Sequence, residues 1–110
     1  MLNLAGDSAV IPACGLYRYR LDLHIGAGST VVGAIGCNPS MADGRVDDAT
    51  VRRLRGFGKR LGWGRVVVGN VFGWRATVVD DLATTPDPIG PKNAEHIEAM
   101  LRDVSPIVAF

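Results

Sequence analysis

Thr30-Val31-Val32-Gly33-Ala34-Ile35-Gly36-Cys37-Asn38-Pro39-Ser40 begins as a nearly continuous apolar run and breaks into a polar bend. A short apolar run bounded by turn residues is the pattern of a strand buried on both faces. Arg65-Val66-Val67-Val68-Gly69-Asn70-Val71 repeats it, and again the run empties into a loop, Asn70-Val71-Phe72-Gly73-Trp74-Arg75-Ala76-Thr77. Between the two, Val51, Leu54, Phe57 or Gly58, and Leu61 recur at helical spacing, with Arg52, Arg53, Arg55, Lys59 and Arg60 on the flanks and outer face. Gly62-Trp63-Gly64 stops that helix. Residues 30–71 therefore read as a strand, helix, strand unit, a connection that is almost always right-handed with parallel strands. Ligands of open α/β sheets bind just beyond the carboxyl ends of neighbouring strands, so the two loops are expected to face one pocket.

Working outward, Tyr17, Tyr19, Leu21 and Leu23 alternate with Arg18, Arg20 and Asp22, the period of a strand with one wet face lying at or near a sheet edge. Gly26-Ala27-Gly28-Ser29 is a flexible turn, and the expectation is an antiparallel hairpin between residues 16–23 and 30–35. Asp47 or Asp48 suits the cap of the first helix. Pro86 and Pro88 keep the second half of the 78–90 connection out of a helix, which makes that stretch a loop or lid candidate. Pro91 opens a second helix with Ala94, Ile97, Met100 and Leu101 as its apolar stripe, and residues 107–110 start a further parallel strand. The expected fold is a three-layer α/β/α-type domain with a mostly parallel central sheet and an N-terminal antiparallel hairpin. Residues 1–15 form a weakly structured lead-in to a single domain over 16–110. Because Pro106-Ile107-Val108-Ala109-Phe110 reads as the opening of a buried strand with no turn after it, that domain is expected to be truncated at its C-terminus.

A chain of 110 residues is one small domain, and a formal charge of +1 gives no global drive toward nucleic acid. Cys14 and Cys37 have no metal-ligand spacing, and so few cysteines suit a reduced, cytoplasmic setting. No apolar run approaches the roughly 20 residues that a spanning helix needs, so no membrane is expected. Metal and organic cofactors are expected to be none: Gly26-x-Gly28 precedes a strand instead of opening a helix, as a dinucleotide fingerprint would require.

Two asparagines dominate the chemistry. Asn38, in a bend stiffened by Pro39, can hold a ligand or orient a water; equally, Asn38 and Ser40 can bond their own backbone in a tight turn. Asn70, at the end of a valine run, must find partners or cost about 1–3 kcal/mol as a buried unsatisfied amide. A planar edge with one donor and one acceptor would satisfy it, nucleobases present such edges, and Phe72 or Trp74 can supply a stacking face. The other reading bonds Asn70 to loop backbone and puts both aromatics in the core. Arg75 with Thr77 suits a phosphate, or else Arg75 pairs with Asp80 or Asp81. Asp43, Asp47 and Asp48 are the carboxylates near the first loop that can serve as a general base. With His24 and His96 apart from any nucleophile motif, a hydrolase triad is unsupported.

Four ordered motifs carry a family resemblance: Cys37-Asn38-Pro39-Ser40 with Ala42-Asp43; Asp47-Asp48-Ala49-Thr50-Val51-Arg52-Arg53; Gly69 to Thr77; and Pro88-Ile89-Gly90-Pro91-Lys92-Asn93. From about Tyr17 onward the chain resembles the bacterial and phage family called domain of unknown function 1643, departing from it at Ala49, where the family usually has proline. That layout is similar to the uracil-DNA glycosylase superfamily, in which a loop after the first core strand carries Asp or Asn beside Pro and orients the attacking water, and a later strand ends in an Asn that reads the flipped base. The resemblance implies that Asn38 with Pro39 plays the first part and Asn70 the second, with Asp43 and Asp48 as weaker candidates for activating water. The superfamily's later His-containing loop has no counterpart here. The implied function is nucleobase or nucleotide binding, with DNA or a nucleotide as partner and hydrolysis of an N-glycosidic bond as the reaction. A non-catalytic binding or interaction module that retains the fold is the alternative.

Overall fold

The strand, helix, strand unit forms where the apolar pattern puts it. The computed structural model describes residues 7–37, 39, 49–75 and 85–109. In chain order these give β1 (Ser8–Val10), β2 (Arg20–His24), β3 (Val31–Gly36), α1 (Ala49–Leu61), β4 (Arg65–Asn70), α2 (Asn93–Asp103) and β5 (Ile107–Ala109). β3 and β4 are parallel and in register from Val31↔Arg65 to Gly36↔Asn70, and β5 runs parallel on the other side of β3. Strand β1 falls within the stretch read as a lead-in.

The expected hairpin between β2 and β3 is not made. The sheet order is β1-β2-β4-β3-β5, so β2 lies antiparallel to β4, with Leu21 opposite Val68 and Leu23 opposite Val66. The cause lies in the connection. Ile25 N and Gly26 N donate to Gly64 O at 2.9 and 3.2 Å, and Gly64 N donates to Thr30 O at 2.9 Å. Residues 25–30 thus straddle the entry to β4 instead of turning back, and the strands before and after them fall on opposite sides of it. The N-terminal antiparallel pair is instead β1 with β2. Two of the four pairings are antiparallel. The structure is thus a small α/β domain with a mixed five-stranded sheet and two described helices, and the sheet is not mostly parallel.

The main core joins Leu21, Leu23, Ala34, Val66 and Val68 of the sheet to Val51 and Leu54 of α1. Each of the buried Val and Leu side chains contributes about 1.5–3 kcal/mol relative to exposure. Of the two alternatives for the third helical position, Gly58 is the buried one: a Cβ there would lie 2.9 Å from Ile25, while Phe57 stays exposed under the Arg60 guanidinium. On alternate strand positions, Gly69 takes Met100 and Ile97 of α2 close against its backbone.

The face of β2 expected to be wet is closed by charge. Asp22 is 8% exposed and accepts from Arg20 Nε at 2.7 Å and from Arg65 Nη2 at 2.5 Å, while Arg20 Nη1 also donates to Asp103 of α2 at 3.0 Å. Hydrogen bonding to Asp22 raises the Arg20 pKa above its ordinary value, burial opposing it. Arg55, expected on a solvated helix face, is ion-paired with buried Asp7, whose Oδ1 also accepts from His24 N at 2.7 Å. α1 is thereby tied to the start of β1. Among the described residues, no helix is long and apolar enough to cross a membrane.

Candidate functional site

The two loops meet, as far as the first is described. Val71 N donates to Gly36 O and Phe72 N to Cys37 O, each at 2.9 Å, so the pairing of β3 with β4 continues past both strand ends. Pro39 is fully buried in the first loop. Asn38, Ser40, Asp43, Asp47, Asp48 and Thr77 lie outside the described residues, as do 78–84 of the lid candidate.

Asn70 ends β4 at 2% exposure, and its Nδ2 has no hydrogen-bond partner among the described residues. Its own carbonyl is taken by Asn93, the first residue of α2, whose Nδ2 donates to Asn70 O at 2.9 Å and Val71 O at 3.1 Å. Those two bonds fasten α2 to the end of β4. Both asparagines line a groove of about 370 Å³ with Ile35, Val71, Ile89, Ala94, Ile97, Leu101 and Glu98. The expected helix stripe therefore divides: Met100 is fully buried under the sheet, while Ala94 and Leu101 stay exposed along the groove.

The other sequence candidates fall elsewhere. Phe72 is half-buried and does not line the groove. Arg75 N donates to Leu16 O at 2.9 Å and Arg75 Nη1 to Gly15 O at 3.3 Å, which directs it toward the turn before β2. Trp74 closes a row of rings: His96 stacks on Tyr19 at 5.2 Å, Tyr19 on Tyr17 at 5.7 Å, and Tyr17 meets Trp74 edge-on at 5.4 Å. Tyr17 Oη donates to Asp87 O at 2.9 Å, and burial, then the nearby Asp87 charge, raise its pKa. Asn93 escaped the sequence reading of the site because an amide opening a helix reads as a cap. The available signal was its place at the end of the fourth motif, Pro88 to Asn93.

The four motifs thus converge only in part on one groove, but together they define a family. The model of a protein of unknown function, DUF1643, matches residues 18–110. The chain belongs to that family. In this DUF1643 domain the matched stretch takes in β2, β3, β4, β5 and both described helices, and of the described elements it leaves out β1. No curated protein matches the chain, and no solved structure does.

Proposed function

We propose that this DUF1643 domain binds a nucleobase or nucleotide at the carboxyl ends of β3 and β4, with Asn70 reading the base edge. One observation carries the reading: the Asn70 amide is buried in a mostly apolar groove, with a donor that has no partner among the described residues. Such a group costs about 1–3 kcal/mol until an acceptor meets it. A flat ring with a polar edge supplies that acceptor and fills apolar walls at once. The similarity to uracil-DNA glycosylases noted above points the same way and extends the proposal to cleavage. In that extension Asn38 with Pro39 and Ser40 positions water, and Asp43 or Asp48 activates it, while Phe72 and Arg75 lie off the groove. The reading assigns the domain to the reduced cytoplasm, where Cys14 and Cys37, both exposed and unbridged, stay thiols. The alternative, a binding-only module, shares the base-reading step and omits the cleavage.

The test incubates the protein with single- and double-stranded oligonucleotides carrying uracil or other altered bases, measuring binding by anisotropy and base release as abasic sites. Wild-type binding should weaken at least about tenfold in Asn70→Ala with the fold retained. Base release lost in both Asn38→Ala and Asn70→Ala marks a glycosylase, and binding without release marks the module. Absence of any binding by the wild type refutes the proposal.

A further inference from the structure

Asn93 has no freedom in how it presents its amide. Both of its Nδ2 hydrogens are taken by the carbonyls of Asn70 and Val71, and turning the amide over would set Oδ1 against two carbonyl oxygens. Oδ1 is therefore fixed as an acceptor. It is buried, on a residue 2% exposed, and has no partner among the described residues. Asn70 Nδ2 is the complementary donor on the same groove. Around these two atoms the described lining is Ile35, Val71, Ile89, Ala94, Ile97 and Leu101, with Glu98 the one charged residue and neither Lys nor Arg among them. None of these described residues neutralises a phosphate, and Glu98 repels one.

We propose that Asn93 is a specificity-determining residue, and that Asn70 Nδ2 and Asn93 Oδ1 together select a neutral heteroaromatic ring carrying a hydrogen-bond acceptor beside a donor. This rests on the base-binding reading and sharpens it: the groove takes the ring alone, any phosphate stays outside, and a ring whose donor is blocked is refused. Rejection follows from leaving Oδ1 buried against a methyl group, the kind of loss by which sites built to hydrogen-bond a ligand discriminate.

The two chemical sources of such an edge, a lactam and an amidine, are separated by the probes. The full chain, labelled with nitrogen-15, is titrated with 1-methyluracil and with 1-methylcytosine while the side-chain amide signals of Asn70 and Asn93 are followed. The titrations are then repeated with 1,3-dimethyluracil and with 1-methylcytosine dimethylated on its exocyclic nitrogen, in which the donor is gone. Saturable shifts of both amides by either parent ring, with at least about tenfold weaker binding of its blocked form, are expected. Equal binding of parent and blocked rings overturns the role of Asn93 and leaves base binding standing. Binding of none of the four overturns both.

Discussion

Adding one methyl group to Gly64 should separate β4 from the connection that straddles it. A Cβ there would overlap the carbonyl oxygen of Gly28 and lie 2.7 Å from its carbon, with Thr30 O at 3.4 Å. These are backbone atoms, so no side-chain rotation relieves the clash, and residues 25–30 must lift. Lifting them strains the three bonds that Gly64 makes with Ile25, Gly26 and Thr30. At about 0.5–1.5 kcal/mol net for each, Gly64→Ala should cost about 1.5–4.5 kcal/mol. Gly56→Ala is the control: that site is exposed within α1 and a Cβ meets nothing within 4 Å, so helix propensity alone acts and stabilises by about 0.5–1 kcal/mol. Urea unfolding followed by far-ultraviolet circular dichroism reads both, with slopes of about 1–3 kcal/mol per molar urea. The reasoning is refuted if Gly64→Ala lies within about 0.5 kcal/mol of wild type or moves the midpoint upward as Gly56→Ala does.

The two site asparagines should behave oppositely in the same assay. Asn93→Ala breaks one buried and one part-buried bond and should cost about 1–3 kcal/mol, whereas Asn70→Ala removes a donor with no partner among the described residues and should stay within about 1 kcal/mol; equal losses would contradict the geometry. Asp22→Ala leaves Arg20 with Asp103 alone and Arg65 with neither. Loss of one member of a buried pair costs about 3–5 kcal/mol, but Arg65 is 46% exposed, so about 1.5–3 kcal/mol is expected, and a loss below about 0.5 kcal/mol would mean the network is solvated. Because the folded state holds the Tyr17 proton above the ordinary phenol value of 10.0, stability present below that value should fall as pH rises through the raised one. Tyr17→Phe should flatten that alkaline slope in unfolding midpoints measured from pH 8 to 11, and an unchanged slope would exclude Tyr17 as its source.

The parallel unit was legible because local information suffices for it. The runs at Val31 to Ile35 and Val66 to Val68 are too apolar to lie anywhere but inside, and the helix between them leaves parallel pairing as the compact solution. The partner of β2 was not legible, because it depends on residues 25–30 closing over Gly64, a contact between loops distant in sequence. The charges of β2 misled for a related reason. Alternation says which residues share a face, but not that Arg65 and Asp103 will cover it. In the site, Asn70 stood out as an amide ending a valine run, while Asn93 gained meaning only once α2 was seen docked on the two carbonyls that end β4.

The central place of β4 also bears on how the chain assembles. Strand β2 precedes β3 in the chain, yet its inner hydrogen-bonding partner, β4, follows only after the whole of α1. An isolated two-stranded ribbon of β1 and β2 is marginal in water, so the amino-terminal segment must wait, unpaired, while β3, α1 and β4 close a more local nucleus. Pulsed hydrogen exchange should then find amides of β3 and β4 protected before those of β2. The chain is completed from its middle outward, and the Asp22–Arg65 and Asp7–Arg55 pairs close last, as clasps on a nucleus already formed.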